Sequence, residues 1–326
     1  MAVYFYKSDS GDGWRNLAVD RFFFEHLSRD DLLFYLYVND GAVVIGKGQN
    51  AWRECRLDAM ERDGIQLVRR HTGGGAVFHD RGNLNFSFVA GESGYSLDRQ
   101  LGVIKRAVSS FGLAAELSGR NDLLVDGKKF SGNAFASSGG RMAHHGTLLI
   151  DTDSLKLEKY LRVSAEKMAA KGIRSVVSRV CPLSALCPSL TVSLMAERLL
   201  AAFREEYGPF TEYCPDASGR EEIERLYKIQ SSWEWRFGQT PEFDRKLERR
   251  FSFGEMQLLF RVKHGAVCGV KVYSDALDPA LPGLVEKCLL GARFTQEGLS
   301  ERLLSEAARG RRELSEIAEY LSSEIL

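Results

Sequence analysis

Three contiguous glycines, Gly73-Gly74-Gly75, stand between Arg69-Arg70 and the short apolar run Ala76-Val77-Phe78, with His79-Asp80 and Gly82-Asn83 just beyond. Of all the segments in the chain, this one most restricts how the backbone can continue. Glycine here loses much chain entropy on ordering and offers a core no side chain, so the stretch is poor material for packing. What it permits is close approach of a ligand to bare backbone N–H groups beside positive charge, which suits a phosphate or a mixed anhydride. No Lys-Ser/Thr pair follows the glycines, as a P-loop requires. Nor are they spaced as in the dinucleotide fingerprint. A solvated glycine hairpin is the plainer alternative, and the surrounding motifs argue against it.

Two further segments bring titratable groups. One runs Gly119-Arg120-Asn121-Asp122-Leu123-Leu124-Val125-Asp126-Gly127-Lys128-Lys129-Phe130-Ser131-Gly132-Asn133-Ala134, the other Ala143-His144-His145-Gly146-Thr147-Leu148-Leu149. In order, spacing and residue type these segments resemble the lipoate-protein ligase family. The motifs that carry the resemblance are RRxxGGGAVFHDxGN, GRND, GKKFSG and HHGTLL, with Val43-Val44-Ile45-Gly46, Gln49-Asn50 and Ser175-Val176-Val177-Ser178-Arg179-Val180 in addition. It covers about residues 30 to 245 and continues more weakly to the C-terminus. His71 and Thr72 depart modestly from the pattern, in which small hydroxyl residues are frequent.

Composition restricts the remaining classes. Lysine plus arginine equal aspartate plus glutamate at 44 each, so no global field draws the chain to nucleic acid or an anionic membrane, and any anion site must be local. The first residues are neither a signal nor a transit segment, and no apolar run approaches a bilayer span, so a soluble cytoplasmic protein is expected. Cys55, Cys181, Cys187, Cys214, Cys268 and Cys288 form no C-x-x-C pair, which makes zinc and a disulfide framework improbable.

A chain of 326 residues is comfortable for two domains. Apolar density predicts a helix over 14–28, and strands over Leu32–Val38 and Ala42–Ile45 joined hairpin-fashion by Asn39-Asp40-Gly41. Strands over Ile65–Arg69 and Leu84–Val89 flank the glycines. Leu97, Leu101, Ile104, Val108 and Phe111 mark an amphipathic helix stopped by Gly112, and Val192, Met195, Leu199 and Phe203 another that ends near Gly208. The segment Ser231 to Phe243, with Trp233 and Trp235, reads as an aromatic clamp closing the first domain. Beyond it, alternation over 256–263, a His264-Gly265 turn, a second strand over Ala266–Tyr273 and two helical stretches predict a small accessory domain. The mixture gives an α+β class: a mixed sheet with flanking helices over 1–243 and a small α+β domain over 244–326. The resemblance implies the same catalytic fold, shared with biotin-protein ligases.

Lys129 is the first candidate for chemistry. An ammonium between a carboxylate and an α-phosphate stabilises both reactants and the developing charge, and in the family the matching lysine makes those contacts. Strand alternation turns Lys128 to solvent. Arg70 can grip two phosphate oxygens, while Arg69 points elsewhere. The resemblance adds the backbone of Gly73, Gly74 and Gly75, a pocket lined by Ala76, Val77 and Phe78, His79 near the adenylate, Ala134 in the nucleotide-binding set, and His145-Gly146 at the acyl tunnel. Asn83 and Asn121 are polar residues beside apolar runs. Asn121 is a candidate reader of adenine or ribose, and Asp122 is one for holding a magnesium-bound water or orienting Lys129, each weighed against turn-forming duty. His79, His144 and His145 suit structural or orienting roles better than metal ligation.

The resemblance implies ATP-dependent activation of lipoate to lipoyl-AMP with Mg²⁺, then transfer to a lysine of an apo lipoyl domain, on a 2-oxoacid dehydrogenase E2 subunit or the glycine-cleavage H protein. A loop near Arg174 to Val180 is the expected cover for the anhydride. Three alternatives remain. An octanoyltransferase working from acyl carrier protein would need a nucleophilic thiol, for which Cys181 is the loosely placed candidate. Biotin ligation would want a Lys-x-Gly-Gly run where Lys129-Phe130-Ser131-Gly132 stands. A carrier-binding paralogue would transfer or hold an acyl group activated elsewhere, such as lipoyl-AMP.

Overall fold

The computed structural model describes residues 1–119, 121–162, 180–237, 244–307 and 310–323. Arg120, the segment 174–179 of the expected cover loop and the 238–243 end of the tryptophan segment lie outside the described residues. The chain forms two compact units. The first comprises Met1–Ile45, Ala51–Arg70 and Ala76–Arg236, the second Gly46–Asn50, His71–Gly75 and Phe237–Leu326.

The first unit contains β1 (Val3–Lys7), β2 (Leu32–Val38), β3 (Ala42–Ile45), β4 (Gln66–Arg69), β5 (Val77–His79), β6 (Asn83–Gly91), β7 (Glu116–Ser118), β8 (Asp122–Val125), β9 (Lys128–Ser138), β10 (Arg141–Leu149) and β11 (Thr211–Glu212). Eight of these form a mixed sheet in the order β11-β1-β2-β6-β10-β9-β8-β7, and β4-β3-β5 form a small second sheet. Alternation distributes the large sheet's side chains between two cores. Phe34, Leu36, Phe86, Phe88, Phe130 and Leu148 face the helices Leu97–Ser109 and Val192–Tyr207. Leu33, Tyr35, Val89, Ala136 and Ala143 face the helices Gly13–His26 and Ala217–Ser231.

Local sequence sets these helices. Asp12 caps the first by accepting from Trp14 N–H at 2.9 Å. Ser96 caps the Leu97–Ser109 helix, and Gly112 beyond its end takes φ +76, a conformation that a side chain disfavours. Leu101, Ile104 and Val108 are buried as their spacing requires, each contributing about 1.5–3 kcal/mol by leaving water.

One expectation fails. β2 and β3 are strands, but they lie in different sheets and make no hairpin. The intervening turn is held by other segments. Asn39 Oδ1 accepts from Asn16 Nδ2 at 2.9 Å, Asp40 N–H donates to Gly11 O at 2.9 Å, and Arg81 forks onto Asp40. These bonds lead the chain out of one sheet into the other. β5 was also hidden, being three residues long directly after the glycines.

The second unit has an antiparallel sheet of β12 (Arg245–Phe251), β13 (Gly254–Lys263) and β14 (Ala266–Ser274). His264 and Gly265, at φ 50 and 74, turn β13 into β14 as expected. Among the described residues three helices follow rather than two, at Leu281–Leu289, Gln296–Ala307 and Arg312–Ser323. They bury Val285, Leu303, Ile317 and Leu321 against Met256, Leu258 and Phe260. No helix among the described residues is long and apolar enough to cross a membrane.

Candidate active site

The sheet face beneath the helix Gly13–His26 changes character along the strands. Its first row across β2, β6, β10 and β9 is apolar: Leu33, Val89, Ala143, Ala136. The next is Tyr35, Ser87, His145, Ala134. Beyond it Tyr37 pairs with Asn85 and Asn85 with Thr147, and Gly132 N–H donates to Thr147 Oγ at 3.2 Å. Ser87, His145, Asn85 and Thr147 thus replace the apolar row on this half of the face.

Lys129 reaches this half of the face. The β8–β9 register shifts between Leu123 and Leu124, so that Ser131 and Lys129, not Phe130, oppose them. Phe130 is the extra residue of a bulge and drops into the opposite core, which re-aims its neighbour. The Lys129 side chain folds over Gly132, where an added Cβ would stand 2.8 Å from Nζ. Nζ then meets Asp122 Oδ1 at 2.7 Å, on the residue paired with Gly132 across the strands. Lys128 is exposed, as alternation requires.

Asn121 is tied to β9. Its Nδ2 donates to Asn133 O at 2.7 Å, while its own carbonyl accepts from Asn133 Nδ2 at 3.0 Å. Asn133 Oδ1 lies 2.9 Å from His144 Nε2, and His144 Nδ1 lies 2.9 Å from the Gln100 amide. A neutral imidazole donates once. Gln100 Nε2 has no acceptor as placed, so the satisfied arrangement turns the Gln100 amide to donate to Nδ1 and leaves Nε2–H to Asn133. Burial pushes His144 down to about 3, with a smaller contribution from His145. His144 and His145 occupy opposite faces and cannot share an ion. Gly146 faces the core, where a Cβ would meet the Phe86 ring at 2.6 Å.

On the other side, His145 Nδ1 lies 3.1 Å from Asp20 Oδ2, a carboxylate with 0% exposure. His79 is fixed by Asn39, whose Nδ2 donates to Nδ1 at 3.0 Å. The proton therefore sits on Nε2, a buried donor without an acceptor among the described residues. Burial, then Arg70 and His145, pushes His79 down to about 3. Arg70 is buried at the end of β4, with Nη1 3.3 Å from Val44 O, and desolvation pulls it down to about 10. Asn83 donates to Asn85 at 2.9 Å. Asn83 Oδ1 and Ser87 Oγ, like His79 Nε2, are buried without partners among the described residues. Each such atom costs about 1–3 kcal/mol unless a ligand satisfies it.

The remaining candidates separate. Arg69 donates to the carbonyls of Trp235 at 2.8 Å and Arg236 at 2.6 Å, and Trp235 Nε1 returns a bond to Arg69 O at 2.8 Å. Val77 packs toward the helix Gly13–His26 and Ala76 is half-buried. Phe78 faces the other way, its ring 5.2 Å from Tyr160. Gly73, Gly74 and Gly75 group with the second unit. There Gly74 N–H donates to Ala276 O at 2.9 Å, and a Cβ on Gly73 would lie 2.3 Å from the carbonyls of Ala276 and Leu277. A Cβ added at Gly75 would meet nothing within 4 Å.

Among the described residues, Glu25, His26 and Glu222 could share a metal ion. Arg21 and Arg225 already engage the two carboxylates, which makes this a surface ion-pair network. Sequence reading missed Asp20, Ser87, Asn85 and Thr147. Asn16 and Asp20 gave a usable signal, since a polar pair at i, i+4 inside an otherwise apolar helix is seldom idle.

The family description "Lipoyl protein ligase A/B catalytic domain" matches residues 12–204, and "Bacterial lipoate protein ligase C-terminus" matches 240–321. The chain belongs to the lipoate-protein ligase family. Its structure is similar to that of P. falciparum LipL1 in complex with lipoate, at TM-score 0.85 and 25% identity over 99% of this chain and 100% of that one. It is also similar to a bipartite lipoate protein ligase of Thermoplasma acidophilum, solved with its E2 lipoyl domain, at TM-score 0.66 and 28% identity over 74% and 98% of the two chains. A lipoate-protein ligase A bound with ATP matches at TM-score 0.63 and 26% identity over 73% and 98%.

Proposed function

We propose that this protein is an ATP-dependent lipoate-protein ligase. A lipoate carboxylate oxygen attacks the α-phosphorus of ATP, pyrophosphate leaves, and lipoyl-AMP remains bound. The ε-amine of a lysine on an apo lipoyl domain, of an E2 subunit or an H protein, then attacks the acyl carbonyl and AMP leaves. The observation that carries this reading is Lys129, bent over Gly132 onto Asp122 at the polar half of the sheet face. A fixed ammonium there stabilises charge on both the carboxylate and the phosphate without reorganising during the reaction.

Arg70 and His79 supply donors for phosphate oxygens, and Asn83 and Ser87 supply polar atoms for the bound acyl-adenylate. Asn121 serves this reading by locking β8 against β9 and so placing Asp122. Mg²⁺ would enter with ATP, retaining most of its waters and shielding the phosphates. Asp122, the carboxylate beside Lys129, is suited to hold one of those waters. Solved relatives containing lipoate and ATP support both substrates.

A transferase using a pre-activated donor gains one observation: Cys181 N–H donates to Lys129 O at 2.9 Å, which brings a thiol-bearing residue beside the same strand. The test is pyrophosphate release from ATP on adding lipoate without acceptor, then AMP release on adding an apo lipoyl domain. Signal in both stages is expected. Modification from supplied lipoyl-AMP without pyrophosphate release would replace the ligase by the transferase, and loss of that modification in Cys181→Ser would make the thiol its nucleophile.

A further inference from the structure

The ladder between β9 and β10 ends with Asn133 opposite Gly146. Carried on in register, it would set Thr147 opposite Gly132 and Ile150 opposite Lys129. Instead β10 stays with β6, where Thr147 and Leu149 pair with Asn85 and Asn83, and β9 stays with β8. The segment Val180–Ser184 enters between the parted strands. On one side Val180 bridges Lys129, and Cys181 N–H donates to Lys129 O at 2.9 Å. On the other, Ser184 N–H donates to Ile150 O at 2.8 Å. Leu183, at 0% exposure, packs in one core with Phe130, Leu148 and Ile150, so the inserted segment is anchored as well as hydrogen-bonded. The strands part at Gly132. Its N–H points to where the β10 main chain no longer pairs, and the Thr147 hydroxyl accepts it at 3.2 Å. The Lys129 side chain crosses the same glycine. A Cβ there would stand 2.8 Å from Lys129 Nζ, 3.1 Å from its Cε and 4.0 Å from Thr147 Oγ.

Resting on the ligase reading, we propose that Thr147 is a positioning residue for Lys129. Its hydroxyl holds Gly132 at the mouth of the split, and so fixes the strand over which the lysine bends. Val180 and Cys181 hold the other end through the backbone of Lys129 itself. An ammonium on a flexible four-carbon stem stabilises developing charge only where it is already placed. Glycine is required under it for room, but glycine is also the most pliable residue in the strand. The threonine bond removes that freedom at the one point where strand pairing stops doing so. Serine can supply the same acceptor, whereas valine, of the same shape, cannot.

The experiment measures lipoate-dependent pyrophosphate release with Lys129 present and absent. Thr147→Val is expected to lower kcat about 30-fold, the scale of a small misplacement of a reacting group. KM for lipoate and for ATP should stay within about twofold, because the charge that the lysine meets develops in the transition state. Thr147→Ser, which keeps the acceptor, is expected within about threefold of wild type. In Lys129→Ala protein, Thr147→Val should slow residual turnover by less than about twofold, since residues that act through one group do not add. Equal slowing with and without Lys129 would mean a general loss of structure and would overturn the proposal. So would wild-type kcat in Thr147→Val, or a serine variant as slow as the valine one. A raised lipoate KM at unchanged kcat would overturn it too, by making Thr147 a direct substrate contact. Should Thr147→Val fold poorly, Thr147→Ala removes the same hydroxyl and answers to the same outcomes. Absence of pyrophosphate release in wild-type protein would instead overturn the ligase reading itself.

Discussion

The segments around Gly132 and Gly73 use glycine for opposite reasons. At Gly132 the missing side chain makes room for a charged one: Lys129 lies across it, and a methyl would press on Nζ at 2.8 Å. At Gly73 it makes room for backbone, the carbonyls of Ala276 and Leu277 at 2.3 Å. Both segments look alike as sequence, rich in glycine and flanked by cations. The first places a charged group against a second charged group on a sheet, and the second lays backbone against backbone. Glycine by itself marks close approach, and the neighbour decides whether that approach is chemistry or packing.

The largest expected effect tests the Gly132 side. Lys129→Ala should lower the rate of lipoyl-AMP formation by about 10²–10³-fold, the scale seen when one preorganised donor is removed from a transition state. Its stability cost should be about 3 kcal/mol, because Asp122, at 7% exposure, loses this ion pair while buried. Pyrophosphate release with thermal unfolding measured beside it checks both. A wild-type rate would reduce this glycine to a packing device like the other.

Gly73→Ala sharpens the contrast from the other side. The added methyl meets backbone, which cannot rotate away, and overpacking of this kind costs about 1–3 kcal/mol. Thermal unfolding should show it as a loss of several degrees. Gly75→Ala, whose added Cβ would meet nothing within 4 Å, should leave unfolding unchanged. If Gly75→Ala nevertheless slows pyrophosphate release, the third glycine is the one that a phosphate approaches. If neither measurement moves, the loop serves only to carry the chain past Ala276.

Much of this contrast was legible in the sequence and some was not. Apolar periodicity announced the helix Leu97–Ser109 because one face of it is buried and its stop is a glycine at positive φ. The β13–β14 turn was equally local. The β2–β3 hairpin misled because Asn39 and Asp40 are held by residues far from their own turn, Asn16 and Arg81. Lys129 and Asp122 were readable as candidates. Their pairing depends on a bulge at Phe130 that alternation cannot express. Asp20 lay unread for a similar reason, since its partner His145 is 125 residues away and only the sheet brings them together.

The smallest effect concerns what holds β9 and β10 from behind. His144 bridges Gln100 and Asn133, the residue next to Gly132, and burial keeps it neutral with a pKa of about 3. In the unfolded chain it titrates near 6.5. Between those values the unfolded state binds a proton that the native state refuses, so stability falls as the pH is lowered through this window. From pH 7.5 to 5 this one histidine accounts for about 2 kcal/mol of lost stability. His144→Gln should unfold more easily at pH 7.5, having lost a buried hydrogen bond, but its stability should decline less on acidification. The slope isolates the imidazole, because carboxylates and His79 contribute equally to both proteins. Denaturant unfolding of the pair at the two pH values reads the difference directly. Parallel slopes would mean that His144 is protonated in the native state. The wall behind the Gly132 site would then carry a charge where the hydrogen-bond arrangement puts a neutral ring.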